Sequence, residues 1–303
     1  MHPPAALGND APTAVIGAAG FIGSRLSGAL AAAGVGTACF TRAHSFEQDS
    51  GLDPALLRAP IVFYTASRIN PAIADREPAL VGEDHARFVR LLDGLAAAGH
   101  RPTVVLTSSG GTVYDPATRP PYGEHSPTRT SSAYGRAKLR LEQELLARAG
   151  EVRPVILRLA NVYGPDQRLG TGQGVLGHWL EAAAAERALQ VYGDLGTVRD
   201  YVHVDDVVRL MHRVDRAGRE GRHLPPVINV GSGVPTTLAE LLTVTLRVVA
   251  RSVTLRVQPS RSFDRTSVWL DTGLARRVLG WRASVTLPEG VAASWSQWVA
   301  RLP

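Results

Sequence analysis

Short apolar runs recur along the first half of the chain, at Thr13–Ile16, Thr37–Phe40, Pro60–Ala66, Thr103–Thr107 and Pro154–Leu159. None alternates apolar with polar positions, so each reads as a strand covered on both faces. The stretches between them, near Ser24–Ala33, Ala79–Ala98 and Ser132–Ala149, read as helices. Strand, helix and strand in that order build βαβ units, which predicts an α/β fold with a doubly wound parallel sheet. Past Gly164-Pro165 the rhythm changes. A Gly-rich loop (Gly170 to Gly177) leads to a helix, a short strand at Leu189–Tyr192, the polar segment Gly193–Asp206 and a mixed tail from Pro235. The expected division is a sheet domain over residues 13–165, which takes back a segment around 200–230, and a smaller C-terminal α/β domain over 166–303. The smaller domain would cap the sheet's carboxyl edge, where sheets of this kind bind ligands.

Composition narrows the partners. Hydrophobic residues make up 45% and charged residues 20%, an ordinary globular balance. Thirty-three basic against 27 acidic residues leave +6, but the arginines are scattered, which suits a small anionic ligand better than nucleic acid. Cys39 is the only cysteine, so no intrachain disulfide or cysteine-rich metal site can form. The nine histidines show no metal-ligand spacing. With no secretory leader and no apolar run of ~18 residues, the expectation is a cytoplasmic protein that does not enter a membrane.

The segment Val15-Ile16-Gly17-Ala18-Ala19-Gly20-Phe21-Ile22-Gly23 follows the first strand and opens a helix. There the first glycine permits a tight turn, the second lets backbone approach a pyrophosphate, and the third lets helix pack on strand. The helix N-terminus adds free N–H groups and a positive dipole end. Gly17, Gly20, Phe21, Ile22 and Gly23 are therefore candidate contacts of a dinucleotide in a Rossmann-type fold. The second strand ends in Cys39-Phe40-Thr41-Arg42, with no carboxylate for the ribose hydroxyls. Thr41 and Arg42 point to NADP(H), whose 2′-phosphate an arginine suits, and leave NAD(H) open.

Tyr134 and Lys138 lie four apart on one helix, so both project from one face. An ammonium beside a phenol stabilises the phenolate and makes tyrosine a usable acid and base. Lys138 is also the only lysine in the chain. Where arginine holds every other long basic position, one lysine marks a need for a compact charge on a flexible stem.

Read in order, these motifs and four others resemble the extended short-chain dehydrogenase/reductases of the nucleotide-sugar epimerase/dehydratase group. The others are Ser108-Ser109-Gly110-Gly111-Thr112-Val113-Tyr114, Leu157-Arg158-Leu159-Ala160-Asn161-Val162-Tyr163-Gly164-Pro165, Arg199-Asp200-Tyr201-Val202-His203-Val204-Asp205-Asp206 and Leu279-Gly280-Trp281. The resemblance implies that Tyr134 is the acid and base at a sugar carbon, with Lys138 as its helper. It places Ala66 beside the cofactor, and Asn161, Arg199, Arg261 and Val175 on a nucleotide sugar. Relatives carry a serine or threonine three residues before the Val-Tyr pair; here that position is Gly110, and Thr112 or Ser109 stands in.

Three outcomes share this chemistry. Dehydratases of the group carry Asp-Glu where this chain has Gly111-Thr112, and Cys39 lies far from the sugar, which argues against dehydration and against cysteine-assisted epimerisation. Ketoreduction of a dTDP-4-keto-6-deoxyhexose with NADPH and NAD-dependent 4-epimerisation remain, and Arg42 tips the reading toward the reductase. The intact Tyr134-Lys138 pair argues against a third reading, a regulator that only binds the cofactor. Asp205 and Asp206 read as helix-capping, His203 as structural, and Trp179 as either core or nucleotide contact. A homodimer paired through the Tyr134–Lys138 helix is expected by resemblance.

Overall fold

A computed structural model of the chain describes residues 11–167, 174–259 and 267–300. Six strands form one parallel sheet: β1 (Thr13–Ile16), β2 (Thr37–Phe40), β3 (Ile61–Tyr64), β4 (Thr103–Ser109), β5 (Arg153–Leu159) and β6 (Val227–Val230). Their order across the sheet is β6-β5-β4-β3-β1-β2. The chain therefore winds one way from β1 to β2 and the other way from β3 onward. The crevice at that reversal, at the carboxyl ends of β1 and β3, is where doubly wound sheets hold ligands.

The continuous apolar runs follow from cover on both faces. Val15, Phe63 and Val105 point to one side and Ile16, Tyr64 and Leu106 to the other, as the two-residue period of a strand requires. The first side is packed by α1 (Phe21–Ala32) and α5 (Val204–Arg219), through Leu26, Leu30, Val207, Leu210 and Met211. The second is packed by α2 (Pro78–Ala98) and α3 (Ala133–Ala147), through Phe88, Leu91, Leu95, Leu141 and Leu145. A further apolar cluster joins α4 (Val175–Ala184), α6 (Leu238–Val249) and α7 (Leu287–Val299) around Leu180, Leu241, Val291 and Trp295. Trp179 belongs to it, fully buried with its indole N–H donated to the Gln190 carbonyl at 2.8 Å, which makes it core.

Two sequence expectations change. Helix α1 begins at Phe21 rather than Ser24, because Gly20 in extended conformation is its N-cap. Asp206 does not cap α5: His203 does, and Asp206, fully buried, accepts the backbone N–H groups of Ser284 and Val285 instead. It thereby fastens the segment leading into α7 to the first turn of α5. Among the described residues no helix is long and apolar enough to cross a membrane, and no cluster of metal-ligating side chains occurs.

Candidate active site

The glycine turn is built around contacts that admit no side chain. Gly17 has φ +93°, and a Cβ there would lie 2.7 Å from the Ala66 nitrogen; a Cβ on Gly23 would lie 2.2 Å from the Gly17 carbonyl oxygen. The turn hangs from β2 by the Gly17 and Ala18 N–H groups, which both donate to the Phe40 carbonyl at 2.9 and 3.0 Å. Gly20 is exposed, no side chain caps α1, and its first turn holds no acidic residue. A helix N-terminus with bare N–H groups over a close-packed glycine turn fits a dinucleotide pyrophosphate. Gly17, Gly20, Phe21, Ile22, Gly23 and Ala66 thus surround one place, at the carboxyl ends of β1 and β3.

At the end of β2, Thr41 donates its N–H to the His44 carbonyl and Arg42 is exposed. The nearest following carboxylate, Glu47, is held by Arg87 at 3.1 Å and Arg90 at 2.6 Å.

Helix α3 starts where the Ser132 hydroxyl accepts the Gly135 N–H at 2.9 Å, and it carries the catalytic candidates in its first turns. Tyr134 is half-buried, while Lys138 is 4% exposed with Nζ 5.6 Å from the Tyr134 ring centre and 3.4 Å from the Thr107 carbonyl. One turn on, Glu142 is buried, a residue the sequence reading passed over. Its carboxylate accepts from the Ser108 hydroxyl and from Arg158 of β5, whose Nη2 lies at 2.6 Å. The spacing 134, 138, 142 was the available signal, since a helix repeats one face every four residues. Arg158 also stacks 4.9 Å over the Tyr114 ring, and the buried Tyr114 hydroxyl donates to Asn229 at 2.6 Å. Burial raises the Tyr114 phenol, opposed by the adjacent Arg158. This phenol is a donor that stays neutral, distinct in role from Tyr134.

After β4 the chain turns at once: the N–H groups of Thr112 and Val113 both donate to the Ser109 carbonyl at 3.2 Å. Gly110 is buried in that turn. Asp200, 1% exposed, accepts from Ser232, Gly233 and Leu270, and burial pushes its carboxyl up. Its own carbonyl receives the Asn161 side-chain amide at 3.0 Å. Asn161, which is exposed, is thereby held beside Asp200, the residue that follows Arg199. Val175 opens α4 and is half-buried, and Arg261 lies outside the described residues, as does part of the Gly-rich loop. His203 is buried with Nδ1 toward Asp205, and burial lowers its imidazole, partly offset by that carboxylate.

Comparison with known proteins places the chain in a family and agrees with the fold. The profile of the NAD dependent epimerase/dehydratase family matches residues 13–231. A UDP-glucose 4-epimerase of Mycolicibacterium smegmatis is 33% identical over 92% of this chain and 96% of its own length. An Escherichia coli dTDP-4-dehydro-6-deoxyglucose reductase is 28% identical over 62% of this chain and 58% of its own. The crystal structure of Thermotoga maritima UDP-glucose 4-epimerase with UDP-glucose superposes with a TM-score of 0.84 at 27% identity, covering 95% of this chain and 98% of that one. The chain is an enzyme belonging to the NAD dependent epimerase/dehydratase family.

Proposed function

We propose that this enzyme is a nucleotide-sugar 4-epimerase acting on a UDP-hexose. The observation that carries the reading is the extent of likeness: the 4-epimerase relative matches nearly end to end, the ketoreductase only in part. This reverses the preference drawn from Arg42 alone. One exposed arginine beside a strand end is a weaker signal than a match running through the substrate half of the chain.

A bound nicotinamide would supply reversible hydride acceptance, and the residues of this chain supply the rest. Tyr134 accepts the proton of the sugar 4-hydroxyl as the C4–H bond breaks, leaving a 4-keto sugar. It returns that proton as C4 is reduced again with the opposite configuration. No reductant is consumed. Lys138 supplies the positive charge beside the phenol, buried where water screens it least. Asn161, Arg199, Arg261 and Val175 hold the nucleotide sugar, a planar guanidinium being suited to a diphosphate. The glycine turn, Thr41 and Arg42 hold the dinucleotide. The chain divides near residue 165 and pairs as a homodimer through the Tyr134–Lys138 helix, α3.

Ketoreduction with NADPH stays as the second reading, on the absence of a carboxylate at the end of β2. The cofactor in the purified enzyme separates the two. Firmly held NAD near one per chain, retained through dialysis, supports the epimerase; exchangeable NADP(H) supports the reductase.

A further inference from the structure

Helix α3 buries two opposite charges one turn apart. Lys138 and Glu142 are both buried, and at a spacing of four residues they share one face of the helix. They also converge on one place in β4. The Lys138 Nζ lies 3.4 Å from the Thr107 carbonyl, while the next residue, Ser108, donates its hydroxyl to Glu142. Opposite charges at this spacing ordinarily pair with each other. These two make no ion pair together. The Lys138 ammonium keeps the Tyr134 ring and one long bond to the Thr107 carbonyl.

Glu142 is committed elsewhere. From β5, the Arg158 Nε lies 3.2 Å from both carboxylate oxygens and Nη2 lies 2.6 Å from one of them. Arg158 is itself buried, fixed over the Tyr114 ring and 3.4 Å from the Glu124 carbonyl. A planar fork of this kind cancels a carboxylate in a way that a lysine cannot. Stability alone does not call for the pair, because apolar residues of similar volume hold such a site equally well or better.

The other charges on the elements packed against α3 are engaged or exposed. On α2, Asp84 accepts the Ser67 hydroxyl and the Arg68 N–H. His85 meets Glu144 and Asp93 meets Arg148, partners more than a turn past Lys138. Asp75 and Arg76 of the short helix Pro71–Arg76, Arg136 and Arg140 of α3 itself and Arg153 of β5 are exposed. Glu142 is thus the acid placed to oppose Lys138.

We propose that Arg158 is a positioning residue of the catalytic pair: by engaging both oxygens of Glu142 it cancels that carboxylate and leaves the Lys138 charge to Tyr134. An uncancelled carboxylate one turn from Lys138 would oppose the ammonium where water screens it least. The assignment rests on Tyr134 as the proton-handling group of the reading above.

Three variants test it, each read by the pH profile of UDP-galactose turnover and by melting temperature. Arg158→Gln uncovers the Glu142 charge and should move the low-pH limb up by about one unit or more, so that turnover on that limb falls roughly tenfold. Glu142→Gln uncovers the Arg158 charge and should move the limb down. The double variant Arg158→Gln/Glu142→Gln removes both charges and should return the limb to the parent's pH. A purely structural pair would lower melting temperature and rate at every pH with the limb unmoved, which overturns the proposal, as do shifts of the same sign in the two single variants. If Arg158→Gln fails to fold, the downward shift in Glu142→Gln and its cancellation in the double variant still decide. Ionisation of Tyr134, followed by near-ultraviolet absorbance as the difference between each enzyme and its Tyr134→Phe counterpart, reads the same shifts without substrate. If the parent turns over no UDP-hexose, the epimerase reading fails while this titration still tests Arg158.

Discussion

Replacing Gly23 by alanine puts one methyl group into the tightest contact of the glycine turn. The new Cβ would lie 2.2 Å from the Gly17 carbonyl oxygen and 2.8 Å from the Thr65 hydroxyl. Ordinary contact begins near 3.4 Å, so helix and turn must separate by about one ångström. That carbonyl also accepts the Gly20 N–H at 2.8 Å, so the separation distorts the N-terminus of α1 itself. Overpacking of this kind costs about 1–3 kcal/mol, and alanine in a helix returns about 1 kcal/mol, so the net loss of stability is modest. Cofactor affinity falls further, because each bond to a charged phosphate is worth about 1.5–3 kcal/mol, or roughly tenfold or more. Titration calorimetry with NAD and with NADPH, beside thermal melts, measures both effects. Gly28→Ala is the control in the same helix: nothing lies within 4 Å of its added Cβ, so it should be neutral or mildly stabilising and bind cofactor normally. A Gly23→Ala enzyme that binds both dinucleotides as tightly as the parent would refute the argument.

Tyr134→Phe should keep the fold, since the side chain is only half-buried, and lose about 10²–10⁴-fold in turnover, read from steady-state rates and melts. Arg158→Met leaves the Glu142 carboxylate buried and unpaired, which should cost about 3–5 kcal/mol in urea unfolding. His203 resists protonation in the folded state because it is buried. As pH falls below about 6.5 the unfolded chain therefore takes up a proton that the folded chain refuses, and stability drops. A His203→Gln enzyme should lose less stability than the parent between pH 7 and 5.5; equal slopes in melts across that range would contradict this.

Much of the fold was legible because burial on both faces writes itself into sequence as uninterrupted apolar runs, as at Val15-Ile16 and Phe63-Tyr64. The glycine turn was legible because its demands are those of backbone geometry, local to seven residues. Lys138 was legible from composition alone. What sequence did not carry was distant pairing. Glu142 meets Arg158 through strand packing, and Asp206 looked like a cap until the tail from Ser284 was seen to fold back onto it. A Cβ on Gly110 would press on Leu270, 160 residues away in sequence, a contact that no local pattern announces. The reductase preference rested on Arg42, a local feature, whereas the likeness to the 4-epimerase relative runs through the substrate half of the chain.

The central claim is tested most directly by incubating the purified enzyme, without added nicotinamide, with UDP-galactose and following both sugars by proton NMR. The account predicts conversion to an equilibrium mixture containing UDP-glucose, with no net oxidation or reduction. No interconversion, together with NADPH consumption on a dTDP-4-keto-6-deoxyhexose, would contradict it.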